Sequence, residues 1–207
     1  MTTLLHVAVS PREARSHSRR GAQLVLGQLA EAASGLHIIE RDLAATPLPH
    51  PDAGFVEASL MPDANRTDAH RAELVLSETL IAELEAADAV LISTPVHNYT
   101  VPSVLKAWID LVVRPGRTFR GSPQGKVGML ADRPVLVVSA SGGNFDGAHA
   151  QTDFLMPYLR YVFATMGIRQ VEGIRLQNMG RPDVAPHAFD RFRQELADRL
   201  LLMTLVA

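Results

Sequence analysis

The chain has 207 residues, of which 47% are hydrophobic and 20% are charged, so it can form one folded domain spanning 1–207. It contains no cysteine, which excludes a disulfide scaffold, a thiolate nucleophile and thiolate metal sites. Its net charge of −2 argues against broad electrostatic attraction to nucleic acid or to an anionic membrane surface. Neither a signal peptide nor about 18 consecutive apolar residues is evident, so we expect a soluble, cytoplasmic protein.

Short apolar runs alternate along the chain with segments of helical periodicity. Leu4–Val9 is nearly unbroken in apolar residues, as a strand buried on both faces is. The next segment repeats apolar residues at helix spacing, at Ala22, Val25, Leu26 and Leu29. In chain order the predicted elements are strand 4–9, helix 18–33, strand 36–43, helix 68–86, strand 89–93, helix 104–113, strand 135–139, helix 153–166, strand 168–176 and helix 186–205.

Proline and glycine mark several boundaries between these elements. Pro102 stands at the first turn of helix 104–113, where a missing N–H is tolerated, and Gly167 is predicted to cap helix 153–166. Segment 46–63 contains four prolines, so we expect a loop with at most short helical pieces. Segment 114–131 is polar and contains glycine, and we expect an irregular excursion there.

The alternation of strands and helices predicts an α/β fold with a parallel sheet covered by helices on both faces. Five strands favour the flavodoxin-like strand order over the six-stranded dinucleotide-binding order. In either fold a ligand binds at the carboxyl ends of the strands. The loops after the first, third and fourth strands are therefore the places to look for chemistry.

The first of these loops combines serine hydroxyls with a helix N-terminus. Ser10, Ser16 and Ser18 surround His17, and the helix begins near Ser18. Free N–H groups and the positive end of the helix dipole favour a phosphate there. Without a G-x-G-x-x-G or G-x-x-x-x-G-K-[ST] motif, one terminal phosphate is favoured over a dinucleotide or a nucleoside triphosphate. The alternative is an ordinary capped helix with a solvated loop.

The second loop, 94–102, is stiffened by two prolines. Its backbone could read the edge of a flat heteroaromatic ring, Asn98 offers both a donor and an acceptor, and Tyr99 could stack. His97 is a candidate general acid, because its ordinary pKa suits neutral pH. The alternatives are that Asn98 bridges turn backbone and that His97 is a surface or packed histidine.

The third loop, 139–145, carries the pair Gly142-Gly143, which permits close approach of backbone to a ligand but equally permits an ordinary turn. None of the three loops contains a pair of carboxylates or a cluster of metal ligands. His149 and Asp153 are four residues apart, but no third ligand is visible, so we expect no metal site.

With these motifs in place, the chain resembles the FMN-dependent NADH azoreductases, also called NAD(P)H quinone oxidoreductases, over essentially its whole length. The segment from Pro95 to Asp110 is similar to a family block that reads Pro-Met-Tyr-Asn-Phe and then x-x-Pro-x-x-Leu-Lys. Thr118-Phe119 resembles the family's Lys-Thr-Phe, and segment 139–143 resembles its Ser-Arg-Gly-Gly. The spaced serines match the family's phosphate loop.

The resemblance implies a set of FMN-binding residues. Those expected to hold the phosphate are Ser10, Ser16, His17 and Ser18. Those expected to line the isoalloxazine are Pro95, Val96, His97, Asn98 and Tyr99, with Asn98 at its polar edge. Those expected to cover the pyrimidine side are Ala140, Ser141, Gly142 and Gly143, and Ser139 at the head of this segment is counted with them. Val96 and His97 replace the family's methionine and tyrosine, and Ser141 replaces its arginine, which affects substrate preference more than flavin binding.

The resemblance also implies an activity. FMN would take a hydride from NADH or NADPH and pass two electrons to a quinone or azo compound, with His97 as a candidate proton donor. Family members are homodimers with the active site at the subunit interface, and the apolar helix around Trp108 is a candidate contact. Two alternatives stay open: a flavodoxin-type electron carrier without turnover of its own, and a protein that keeps the fold but has lost FMN.

Overall fold

The computed structural model describes residues 2–32, 35–147 and 150–203. In chain order its elements are β1 Thr3–Ala8, α1 His17–Ala32, β2 His37–Asp42, α2 Ala53–Leu60, α3 Asp68–Ala86, β3 Ala89–Pro95, α4 Ser103–Val112, β4 Phe119–Ser122, β5 Gly125–Gly128, β6 Val135–Ala140, α5 Leu155–Met166, β7 Val171–Leu176 and α6 Ala185–Met203. The predicted helix ends at Ala33 and Leu205 lie outside the described residues.

The main sheet has five parallel strands in the order β2-β1-β3-β6-β7. Alternate residues of each central strand point to opposite faces, so β1 sends Leu5 and Val7 to one core and Leu4 to the other. The first core is completed by α2, α3, α4 and α5, and the second by α1 and α6. The predicted α/β fold with helices on both faces of a five-stranded parallel sheet is confirmed.

Two segments contain more regular structure than the sequence predicts. Segment 46–63 contains the two-turn helix α2, because its first three prolines all precede the helix. Asp52 caps α2 by accepting the Phe55 N–H at 2.9 Å, and Phe55 and Ala58 are buried against α3. Segment 114–131 contains the antiparallel hairpin β4–β5. Its four-residue strands are mostly exposed and lack the apolar alternation that marks a longer strand.

Several element boundaries are corrected by local hydrogen bonds. α5 begins at Leu155 rather than 153, because the Asp153 carboxylate accepts the N–H groups of Leu155 and Met156 at 2.9 and 3.1 Å. β7 begins at Val171 rather than 168. Pro102 immediately precedes the first helical residue of α4. The predicted cap at Gly167 is confirmed, with a φ of 108° and its N–H directed to Ala164 O at 3.1 Å.

The apolar side of the helix around Trp108 belongs to the core. Trp108, Ile109 and Val112 are buried within their own chain, and the indole packs on Phe163 with ring centroids 6.3 Å apart. Trp108 itself is therefore closed to a partner, whereas Ser103 and Lys106 on the same helix are exposed, and a dimer contact through this helix stays a prediction.

Among the described residues, no helix combines the length and apolarity that crossing a membrane requires.

The hairpin is fastened to the main body by a contact between two glycines. Leu130 donates its N–H to Met166 O at 2.9 Å, which brings Gly128 against the backbone at the C-terminal end of α5. A Cβ added at Gly128 would overlap the backbone of Gly167. A side chain at Gly121, in the other strand of the hairpin, would meet nothing within 4 Å.

Gly128 and Gly121 make a matched pair for a stability test. We expect Gly128→Ala to lower the free energy of unfolding by about 2–3 kcal/mol, because the backbone must shift to admit the methyl group. Gly121→Ala should change it by less than about 1 kcal/mol. Urea unfolding followed by circular dichroism measures both, and equal stability of the two variants would contradict the glycine contact.

Candidate active site

Loops from β1, β3 and β6 meet at the carboxyl ends of the parallel strands, where they enclose a cavity of about 250 Å³. Ten of the fourteen residues that the sequence singled out line it. They are Ser10, Ser16, His17, Ser18, Pro95, Val96, His97, Ala140, Ser141 and Gly142. Asn98, Tyr99 and Gly143 lie in the same loops and Ser139 lies in β6, but all four are outside the cavity wall.

The first loop presents buried hydroxyls at the N-terminus of α1. Ser10, Ser16 and Ser18 are all almost completely buried, and the Ser16 and Ser18 hydroxyl oxygens are 3.1 Å apart. The Ser16 hydroxyl oxygen also accepts the Arg19 N–H at 3.3 Å, as an N-cap does. This bond leaves the first N–H groups of the helix available for a ligand. The donors gathered here are hydroxyl and backbone groups, which suit a phosphate.

Arg19 holds this loop in place. Its Nε–H donates to Ser10 O at 2.8 Å, and its two terminal nitrogens donate to the two Asp42 carboxylate oxygens at 2.8 and 2.7 Å. Asp42 also accepts the N–H groups of Ala44 and Ala45 at 2.9 and 3.0 Å. The hydrogen bonds from Arg19 lower the pKa of Asp42 to about 2, with the backbone donors assisting and partial burial opposing.

His17 lines the cavity beside the serines. Its ring lies 6.2 Å from the ring of Phe189 in α6, and the Arg20 guanidinium stands 4.5 Å from the centre of that phenyl ring. Burial lowers the pKa of His17, and the positive charges of Arg20 and Arg12 lower it further. Its Nδ1 atom is buried and has no hydrogen-bond partner among the described residues.

The second loop closes into a tight hairpin turn. His97 and Thr100 exchange two backbone hydrogen bonds, each of 3.0 Å. The two residues between them have positive φ, 47° at Asn98 and 73° at Tyr99, as both central residues of a type I′ turn do. His97 lines the cavity, whereas Asn98 and Tyr99 do not. His97 and Asn98 both border a second cavity, of about 530 Å³, between this loop and Tyr158.

In the third loop, the two glycines differ in surroundings. A Cβ at Gly142 would meet nothing within 4 Å, so this residue leaves open space at the cavity wall. A Cβ at Gly143 would overlap the Gln151 side chain. The Ser141 hydroxyl donates to Gly143 O at 2.9 Å, and the Ser141 N–H donates to Leu176 O at 2.9 Å. These bonds fix the loop against the end of β7.

Four residues that line the cavity were not predicted from the sequence: Pro11, Arg12, Met179 and Gly180. Met179 and Gly180 follow β7, and the Met179 N–H donates to Ser141 O at 2.9 Å. The same rule that selected the other loops, a position after the carboxyl end of a parallel strand, could have found this pair. Arg12 and Pro11 stand between serines that had been selected, and no motif distinguished them.

The other cavities and side-chain clusters give weaker evidence for a ligand site. A cavity of about 500 Å³ lies away from the strand ends, and its arginines Arg66, Arg114 and Arg117 are all paired with carboxylates. Within the described ranges, no three His, Cys, Asp or Glu side chains are placed to hold a metal ion. His149, half of the pair considered from the sequence, lies outside those ranges.

Comparison with known proteins gives the family. The profile of a family with a flavodoxin-like fold matches residues 2–200. "FMN-dependent NADH:quinone oxidoreductase 2" of Cupriavidus pinatubonensis is 55% identical over 193 residues, which cover 92% of this chain and 94% of that protein. "FMN-dependent NADH:quinone oxidoreductase 5" of Burkholderia lata is 45% identical over 203 residues, with coverages of 98% and 96%. The chain belongs to the family of FMN-dependent NADH:quinone oxidoreductases.

Comparison with solved structures shows the same fold. An azoreductase from Bacillus anthracis superimposes with a TM-score of 0.85 at 24% identity, covering 96% of this chain and 98% of that chain. A Bacillus anthracis FMN-dependent NADH-azoreductase in complex with FMN superimposes with a TM-score of 0.82 at 23% identity, covering 96% and 99%. At these identities the likeness establishes the flavodoxin-like fold alone. The family resemblance seen in the sequence is confirmed.

The Arg19–Asp42 pair generates a prediction with a defined pH dependence. The lowered pKa of Asp42 means that its ionised form stabilises the fold above about pH 4 and that this contribution is lost as the pH falls towards 2. Asp42→Asn should therefore lower the free energy of unfolding by about 2 kcal/mol at pH 7. The difference in free energy of unfolding between Asp42→Asn and the parent protein should become smaller as the pH is lowered to 3.

Urea unfolding at pH 7, 5 and 3 measures this difference. Asp63→Asn is the matched control, because Asp63 also pairs with an arginine but its side chain is 90% exposed. This control should change stability little at any of the three pH values. A gap between Asp42→Asn and the parent that stays constant from pH 7 to pH 3 would contradict the role given to the Asp42 carboxylate.

Proposed function

We propose that the chain is an FMN-dependent NAD(P)H:quinone oxidoreductase, with residues 1–207 acting as a single FMN-binding domain in the cytoplasm. The observation that carries the proposal is the cavity at the strand ends, where three buried serines meet a helix N-terminus and two further loops. Membership of the family supports it. The substrates proposed are NADH or NADPH and a quinone or azo compound, and no nucleic acid or membrane partner is proposed.

The residues of the first loop fit a flavin phosphate. We assign Ser10, Ser16, Ser18 and His17 to that phosphate, because they line the cavity at the N-terminus of α1, whose first N–H groups have no partner within the helix. Hydroxyl and backbone donors held in place before binding lose little freedom when an anion arrives. We therefore expect the loop to bind the phosphate with little rearrangement of its backbone.

The other two loops fit a flat ring. Pro95, Val96 and His97 form one wall of the cavity, and Ala140 and Gly142 belong to the other. The open space at Gly142 allows backbone to approach a ring closely. Asn98, Tyr99 and Gly143 belong to the loops that carry these walls and Ser139 to the end of β6, and we propose that they lie beside the flavin ring, as the resemblance implies.

Bound FMN would supply the hydride transfer between NAD(P)H and the acceptor. The protein holds the cofactor at its phosphate end, leaves room for a substrate beside His97, and restricts the movement of the loop that carries this side chain. The exposed imidazole of His97 is a candidate proton donor to the acceptor, since it borders both the 250 Å³ cavity and the 530 Å³ cavity.

Turnover tests the proposal directly. The FMN-loaded protein should oxidise NADH or NADPH repeatedly in the presence of a quinone, with ping-pong kinetics. One slow reduction without turnover would indicate an electron carrier instead. A colourless preparation that does not take up FMN would indicate a protein that has the fold but no flavin.

The serines generate a prediction about which part of the cofactor they contact. Replacing Ser16 and Ser18 together by alanine should weaken FMN binding by about 1–3 kcal/mol for each donor lost. Riboflavin, which lacks the phosphate, should bind to parent and variant equally. Flavin fluorescence titration measures both ligands, with Ser122→Ala in the β4–β5 hairpin as the control. An equal loss for both ligands would place the phosphate elsewhere.

We also propose a homodimer, in agreement with the resemblance, and infer that its contact includes an exposed aromatic surface beside His97. Tyr99, Phe154 and Tyr161 are 54%, 56% and 75% exposed. The Thr100 hydroxyl donates to Phe154 O at 3.4 Å, which brings the hairpin turn next to the start of α5. Phe154, Tyr158 and Tyr161 have the spacing of one helix face. This aromatic surface adjoins His97, so a second copy seated on it would lie beside the active site.

A charge on this aromatic surface should separate the copies. Tyr161→Glu is expected to shift the 22.5 kDa chain from dimer to monomer in analytical ultracentrifugation, because an ionised carboxylate would be buried at the contact. Val75→Glu is the control, since Val75 is 61% exposed on α3. A monomeric parent protein, or a Tyr161→Glu dimer as tight as the parent, would contradict the proposed contact.

A further inference from the structure

Two side chains beside the three serines could place a positive charge next to a phosphate: Arg12 and His17. We propose that Arg12 supplies this charge and that His17 takes part as a neutral imidazole that donates one hydrogen bond. The proposal rests on the proposed function, because it assumes that the phosphate of FMN occupies this part of the cavity. It adds a residue, Arg12, that neither the sequence motifs nor the family resemblance assigned to the site.

The surroundings of His17 disfavour an imidazolium. A charged ring needs an acceptor for both N–H groups, and Nδ1 is buried without any partner among the described residues. The charged groups that act on the ring are Arg20 from α1 and Arg12 from the loop, and the α6 residue that packs near it is the uncharged Phe189. Both arginines and the burial lower the pKa of His17, so the free protein holds this ring neutral at pH 7.5.

A neutral His17 still has one N–H to offer. With Nδ1 buried and unpartnered, the proton is better placed on Nε2, the ring nitrogen left for a ligand in the cavity. A phosphate oxygen could accept this N–H without a second proton entering the ring. The site then needs its positive charge from another group.

Arg12 is placed to provide that charge. It lines the cavity, and its backbone N–H donates to the Ser10 hydroxyl oxygen at 3.3 Å, which ties it to the serine cluster. Its guanidinium has no carboxylate partner in the described part of the chain, whereas Arg19 in the same region is paired with Asp42. An arginine without a carboxylate partner is available for a bidentate contact to phosphate, which is stronger than a hydrogen bond between neutral groups.

Arg15 offers a matched control. It belongs to the same loop and carries the same charge, but it does not line the cavity. The experiment compares Arg12→Met, Arg15→Met and His17→Gln with the parent protein. FMN and riboflavin binding to the flavin-free proteins are measured by fluorescence titration between pH 5.5 and 8, and by calorimetry at pH 7.5 in two buffers of different ionisation enthalpy, neither containing phosphate.

The expected result for Arg12→Met is a loss of FMN affinity of roughly 10- to 100-fold, with riboflavin affinity unchanged, because a charge-assisted contact to the phosphate is removed. Arg15→Met should change FMN affinity by less than about threefold. A similar loss in the two arginine variants would mean that Arg12 adds only long-range attraction, and it would overturn the assignment. An equal loss of FMN and riboflavin in Arg12→Met would overturn it as well.

The proton balance tests the role of His17. If the ring stays neutral, FMN should bind at pH 7.5 with no net proton uptake, and affinity should fall below about pH 6 as the phosphate dianion is protonated. His17→Gln is expected to bind FMN more weakly but with a pH profile of the same shape. Uptake approaching one proton in the parent, absent in His17→Gln, would show that His17 becomes charged. Failure of every protein to bind either flavin would instead remove the proposed function itself.

Discussion

The bidentate ion pair between Arg19 and Asp42 is the interaction on which the serine-lined end of the cavity depends. It joins the first turn of α1 to the end of β2, and through the Ser10 carbonyl oxygen it also holds the loop that leaves β1. Three separate parts of the chain are thus fixed by one guanidinium group. The serines lie within this frame, so the position of their hydroxyls is set before any ligand arrives.

Such a frame suits the proposed phosphate site, because an anion site in a small cavity has two conflicting requirements. Charged side chains attract the anion, but several cations placed close together repel one another when the site is empty. The protein keeps Arg19 paired with Asp42, and it surrounds the helix N-terminus with buried hydroxyls that carry no charge. Ser16 and Ser18 lie within hydrogen-bond distance of each other, so neither hydroxyl is left unpaired.

The sequence predicts those parts of the molecule that follow from periodicity. Alternating apolar runs and helical stripes lead to the five parallel strands, and the rule on strand ends leads to the three loops that meet at the cavity. Interactions between distant residues are not visible in such patterns. α2 depends on burial of Phe55 against α3, and the β4–β5 hairpin depends on the contact of Gly128 with Gly167. Neither contact has a local signal strong enough to predict it.

The same limit applies within the site. Two adjacent glycines look equivalent in the sequence, yet only Gly142 leaves open space at the cavity, because Gln151 lies against Gly143. Arg12 and Arg15 also look equivalent, and only the path of the loop brings Arg12 to the cavity wall. The residue type indicates which chemistry is possible, whereas the fold decides which copy of that residue performs it.

The hairpin turn at Asn98 and Tyr99 shows a local loss of stability that is accompanied by a fixed position of His97. A positive φ is tolerated by asparagine but is unfavourable for tyrosine, and a non-glycine residue held in this region costs roughly 1 kcal/mol or more. The two His97–Thr100 hydrogen bonds and the flanking Pro95 and Pro102 offset this cost by restricting the alternatives. A wider, relaxed loop would let His97 swing between the two cavities that it borders. The strained turn holds it at their boundary, which is where a substrate beside the flavin would have to pass.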